Sequence, residues 1–92
     1  MRVEWSTPAA ADLSVISEHI ERDRNLTTAN RITEAIYESA RSLKSMLFRG
    51  RPGRIENTRE LVVLKLPCII IYRISNDRVT IVTIVYGAQK RP

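Results

Sequence analysis

Apolar residues in the first half of the chain recur at helical spacing. Leu13, Ile16 and Ile20 fall on one side, with Asp12, Glu18 and Glu21 turned outward. Thr7-Pro8 reads as the start of this helix: Thr7 serves as N-cap, and Pro8 takes the first helical position, where a missing N–H costs nothing. The helix is expected to end near Asn25. Thr27 or Thr28 then caps a second helix with the apolar stripe Ala29, Ile32, Ile36, Ala40, Leu43 and Leu47. Every step in that stripe is three or four residues, so all six share one face. Gly50 is expected to stop it. Two amphipathic helices on so short a link form an antiparallel hairpin. Leu26, Met46 and Phe48 lie off the main stripe and predict extra apolar surface meant for a partner.

The pattern then changes. Arg49-Gly50-Arg51-Pro52-Gly53-Arg54 is a basic loop rich in turn residues. Beyond it, Thr58 to Leu64, Cys68 to Ile74 and Arg78 to Tyr86 are dense in Val, Ile, Thr and Tyr, the composition of strands. Leu66-Pro67 and Ser75-Asn76-Asp77 are short enough to make hairpins of them. With a short strand at Arg2 to Trp5, the predicted order is β-α-α-β-β-β. This is an α+β domain, a helical hairpin packed on one face of a mainly antiparallel sheet. No linker or repeat divides it, so residues 1–92 are read as a single domain.

Size and composition narrow the chemistry. Ninety-two residues leave no room for a two-lobed cofactor enzyme, and no cofactor or small-molecule substrate is expected. One cysteine, Cys68, and one histidine, His19, exclude a disulfide framework and the usual zinc constellations. Met1 to Trp5 lacks the apolar stretch of a signal peptide, and the Leu61–Tyr72 run is too short and too interrupted to cross a bilayer. A cytoplasmic protein without a membrane partner is the expectation.

Charge is more telling. Residues 1–40 hold four cations and seven anions, whereas residues 41–92 hold eleven and three. Twelve of the fifteen cations are arginine, whose planar fork grips phosphate or carboxylate at two points. An anionic partner on the C-terminal half is predicted. Strand parity puts Arg73 beside Ile69 and Ile71, and a mid-sheet arginine cannot enter a core unpaired. Arg73 is therefore expected on the sheet face away from the helices. If Arg59 shares that face, the two guanidinium groups, the Arg51/Arg54 loop and Tyr86 line one basic depression. The alternatives are a carboxylate partner for Arg59, such as Glu56 or Glu60, a buried ion pair for Arg73, and a core position for Tyr86. His19 is read as a surface residue, Cys68 as an inert thiol and Trp5 as core.

Five stretches in order carry a resemblance across nearly the whole chain: Val3-Glu4-Trp5-Ser6, Gly50-Arg51-Pro52-Gly53-Arg54, Thr58-Arg59-Glu60-Leu61-Val62-Val63, Ile71-Tyr72-Arg73-Ile74 and the tail Tyr86-Gly87-Ala88-Gln89-Lys90-Arg91-Pro92. They resemble the RelE/ParE superfamily of toxins from bacterial type II toxin–antitoxin modules, closer to the ParE type. The resemblance implies a small toxin neutralised by an acidic, ParD- or RelB-like antitoxin that covers apolar grooves. It implies one of two activities. ParE-like members poison DNA gyrase and are not nucleases. RelE-like members cleave mRNA on the ribosome, which would make Arg59, Arg73 and Tyr86 catalytic here.

In either case Arg51, Arg54, Arg59, Arg73, Lys90 and Arg91 are the expected target- or nucleic-acid-binding residues, with no metal. The all-arginine basic loop favours the gyrase reading, because arginine is a poor general base. A binding module without toxicity is the third possibility.

Overall fold

The computed structural model describes residues 1–87, so Lys90 and Arg91 lie outside the described residues. In chain order the elements are β1 (Arg2–Trp5), α1 (Thr7–Asp23), α2 (Leu26–Arg41), a 3-10 turn (Ser42–Lys44), β2 (Arg51–Pro52), β3 (Arg59–Val62), β4 (Cys68–Ile74) and β5 (Arg78–Tyr86). They form a five-stranded mixed sheet in the order β1-β5-β4-β3-β2, with β1 parallel to β5 and the other pairs antiparallel. Both helices pack on one side of it. The expected α+β architecture is the observed one.

Local chemistry sets the boundaries, sometimes a residue away from the expected place. The N-cap of α1 is Ser6, one residue earlier than Thr7, and its side chain accepts the Ala9 amide. Ser6 is favoured because its hydroxyl also donates to the Val82 carbonyl at 3.0 Å, fastening the helix start to β5. Asn25, not Thr27 or Thr28, caps α2, and its carboxamide receives the Thr28 amide at 2.7 Å. The second helix does not run to Gly50. It ends at Arg41 and tightens into the 3-10 turn, which still delivers Leu43 to the core. Part of the basic loop, Arg51–Pro52, pairs as a two-residue strand with Arg59 and Glu60.

The core lies between the helical hairpin and one sheet face. Ile16 and Ile20 from α1, and Ala29, Ile36 and Ala40 from α2, meet Leu61, Ile70, Tyr72, Val79, Ile81 and Ile84. Trp5 packs against this core and stacks on Tyr37, with ring centroids 6.0 Å apart. Strict alternation would put Ile81 and Ile84 on opposite faces, yet both are buried. A bulge reconciles them: Ile71 pairs with Thr83 and Tyr72 with Ile81, leaving Val82 as the extra residue. Because β1 spans only four residues, β5 has a free edge beyond Ile81. Asp12 of α1 covers it, accepting the Ile84 amide at 3.1 Å and the Thr83 hydroxyl.

Candidate functional site: the uncovered sheet face

The face away from the helices is built by the alternate residues of each strand. β4 contributes Ile69, Ile71 and Arg73, and β5 contributes Thr80, Thr83 and Val85 opposite them. Glu60 of β3 stands opposite Ile71 on the same face. Ile69, Ile71 and Val85 floor a depression of about 260 Å³ whose rim is Arg51, Arg54, Ile55 and Glu60. An apolar floor under a basic rim is suited to a segment that carries both apolar and acidic side chains.

The rim is partly neutralised from within. Arg51 contacts Glu60 at 3.1 Å, and the Arg54 amide donates to the other carboxylate oxygen at 3.3 Å. The Arg54 amide holds the Glu60 carboxyl below its ordinary range; partial burial opposes this, and the Arg51 hydrogen bond and charge reinforce it. At the other end of the face Glu4 bridges Arg2 and Arg78, and Asp77 pairs with Arg78. The Arg78 contact lowers the Asp77 carboxyl in the same way. Between these two networks stands Arg73, exposed, beside Thr80 and Ile71. Its side chain makes no ion pair or hydrogen bond among the described residues, so its charge is available to a partner.

Arg59 does not join it. Its register partner is Tyr72, which is fully buried under the helices, so the Arg59 side chain leaves the sheet on the helix-covered side. There it bonds the Gly50 carbonyl through Nε at 2.9 Å and through Nη2, and its guanidinium lies 5.2 Å from the Phe48 ring centroid. The expectation of one depression gathering Arg59 and Arg73 is thus corrected. Neighbouring positions on paired strands point oppositely when their register differs by one residue. Neither Glu56 nor Glu60 is the partner of Arg59; backbone carbonyls and an aromatic ring hold it instead.

Tyr86 also faces away from Arg73. It pairs with buried Cys68, packs against the core, and lines a separate depression of about 270 Å³ with His19, Arg24 and Arg31. His19 is half-exposed and sits 3.1 Å from Asp23, one helical turn on. Burial pushes the Cys68 thiol up to about 11, which makes it inert. Of the residues singled out from the sequence, Arg51 and Arg54 meet on one rim, Arg73 shares their face, and Arg59 and Tyr86 do not. From the sequence, Glu60 enters only as a candidate partner for Arg59. Its alternation with Leu61 could have shown that it belongs to the opposite face.

No group of three or more metal-ligating side chains is found among the described residues, and no described helix is long and apolar enough to cross a membrane.

Comparison with known proteins bears on this geometry. Residues 3–91 match the family described as the ParE toxin of the type II toxin–antitoxin system parDE. The chain is 40% identical over 91 residues to Y4kP of Sinorhizobium fredii, described as a candidate toxin, covering 99% of this chain and 93% of that one. Its fold superposes on a chain of the chromosomal ParDE system from P. aeruginosa with a TM-score of 0.88 at 25% identity, covering 94% of this chain and 95% of that one. A chain of the RelBE2 toxin–antitoxin complex of Mycobacterium tuberculosis gives a TM-score of 0.67 at 24% identity, covering 96% and 92%, a likeness of fold.

Proposed function

This chain belongs to the ParE toxin family of type II toxin–antitoxin systems, and from that premise we propose that it arrests growth by poisoning DNA gyrase in the cytoplasm. One observation supports this over ribosome-dependent mRNA cleavage: the groups a nuclease would need are dispersed. In-line attack by a 2′-OH requires charge stabilisation and proton transfer on one phosphate. Arg73 is on the uncovered face, whereas Arg59 and Tyr86 are on the other. Arg59 stands opposite Tyr72 and Tyr86 opposite Cys68, four residues along β4, which is roughly 13 Å at the rise of a strand. No single phosphodiester reaches all three.

An antitoxin partner fits both the family and the ParDE and RelBE2 likenesses. We place its neutralising segment on the uncovered face, apolar side chains on Ile69, Ile71 and Val85 and a carboxylate on Arg73. The free guanidinium between two self-neutralised networks supports this placement. Target engagement is assigned to the same face through Arg51 and Arg54, so that antitoxin and target compete; Lys90 and Arg91, outside the described residues, stay proposed target-binding residues.

Induction of the toxin without its antitoxin tests the reading with two readouts. The expected result is growth arrest with an induced DNA-damage response, while primer extension finds cellular mRNA intact. Codon-phased mRNA cleavage would replace gyrase by the ribosome as target. Unimpeded growth would leave an antitoxin-binding module without toxicity. Tyr86→Phe is expected to keep the growth arrest, since no proton transfer depends on it.

A further inference from the structure

A second cation-rich surface lies away from the uncovered sheet face. Residues 41–49, at and just beyond the C-terminal end of α2, carry three cations and no anion. A broad depression of about 760 Å³ opens there, lined by Met1, Glu38, Arg41, Ser42, Lys44 and Ser45. The N-terminal ammonium is held in place by the Lys44 carbonyl at 3.2 Å. Arg49 reaches its edge, donating to the Ser42 hydroxyl at 2.7 Å. Glu38, its one acidic residue, is engaged by Arg41 at 3.8 Å.

Next to Arg49 stands Phe48, whose side chain is in an unusual position. The residue is 70% exposed, yet its surroundings are fixed. The Arg59 guanidinium lies over the ring, and the Gly50 carbonyl holds that guanidinium through two of its nitrogens. A solvent-facing aromatic ring that is braced from behind loses little conformational freedom when something stacks on it.

We propose that this surface binds single-stranded nucleic acid, with phosphates on Arg41, Lys44 and Arg49 and an unpaired base stacked on Phe48. A cationic track beside an aromatic platform is the arrangement that binds single strands without reading their sequence. An acidic helix is the less suited occupant, since the depression itself is lined by polar and charged residues apart from Met1. The inference uses residues other than those of the gyrase reading and goes beyond it, so either can fail alone.

Fluorescence anisotropy of the full chain with labelled oligothymidylate, oligouridylate and a duplex tests it. Both single strands are expected to bind at about 50 mM salt, with a log–log salt slope of about −2 for three phosphate contacts. Phe48→Ala is expected to weaken single-strand binding by roughly five- to a hundredfold while leaving duplex binding unchanged. Phe48→Leu, which keeps the apolar bulk and removes the π-face, should match it, and Phe48→Trp should restore binding. Arg22→Ala, in the last turn of α1 and so at the other end of the helical hairpin, should change nothing. The proposal is overturned if no oligonucleotide binds at low salt. It is equally overturned if Phe48→Leu binds like the parent, or if single strand and duplex weaken together.

Discussion

The Tyr72 hydroxyl receives the Gly50 amide at 2.9 Å, deep under the sheet's covered face. The same hydroxyl donates to the Leu47 carbonyl at 2.7 Å. One phenol in β4 therefore ties down the chain from Leu47 to Gly50, where the basic loop begins, and a Cβ at Gly50 would lie 2.8 Å from its ring. Tyr72→Phe leaves the Gly50 amide and the Leu47 carbonyl without their partner. The expected cost is about 1–3 kcal/mol, the penalty for stranding buried polar groups. Urea unfolding of the two proteins, compared at constant m-value, measures it.

Asp12 offers a second, independent test of how the helices are tied to the sheet. Its carboxylate satisfies the Ile84 amide at the edge that short β1 leaves open. Asp12→Ala exposes that amide and frees the Thr83 hydroxyl, with an expected loss of about 1–3 kcal/mol. Hydrogen exchange should localise the effect, with faster exchange at Ile84 than at Ile70 in the middle of β4.

These two ties also explain what was legible in the sequence. Helices, strands and the covered side of β4 followed from apolar periodicity, because burial of Ile16, Ile36, Ile70 and Tyr72 enforces one register. Contacts decided by three-dimensional neighbours were not legible. Alternation sends Arg73 outward and, through buried Leu61 and Val63, puts Arg59 on the covered side, but the Gly50 carbonyl and the Phe48 ring that hold Arg59 there have no local pattern in β3. The Val82 bulge has no signature in a run of Val, Ile and Thr. The choice of Ser6 over Thr7 as cap rests on a carbonyl 76 positions away.

Glu60 predicts a pH dependence. Its carboxyl is lowered in the folded chain from an ordinary value of 4.5, chiefly by the Arg54 amide. A group that titrates lower when folded contributes stability that is present above its unfolded value and is lost as pH falls through the folded one. Glu60→Gln should remove that contribution. The stability gap between parent and variant is expected to be larger at about pH 7 than at about pH 3, as read by urea unfolding at each pH. A gap that is constant or widens on acidification would contradict the Arg51–Glu60–Arg54 arrangement.

Cys68 is buried and its thiol is pushed up to about 11. At about pH 8 the native chain should therefore resist iodoacetamide, since the thiolate is the reactive form. Alkylation followed by mass spectrometry should show modification in denaturant and little without it.

The separation of Arg59 from Arg73 makes the sharpest contrast. The Arg73 guanidinium is exposed and has no bonding partner among the described residues, so Arg73→Ala should leave stability within about 0.5 kcal/mol of the parent. Its effect should fall on association: antitoxin binding weakens by roughly 10-fold or more if a carboxylate meets the guanidinium desolvated. Arg59→Ala should do the reverse. It removes two hydrogen bonds to Gly50 and the cation over Phe48, which costs about 1–3 kcal/mol of stability. Titration calorimetry with the antitoxin, set beside urea unfolding, separates the two. If both substitutions act on binding alone, the two arginines work one surface. If both act on stability alone, the uncovered face is not where the antitoxin docks.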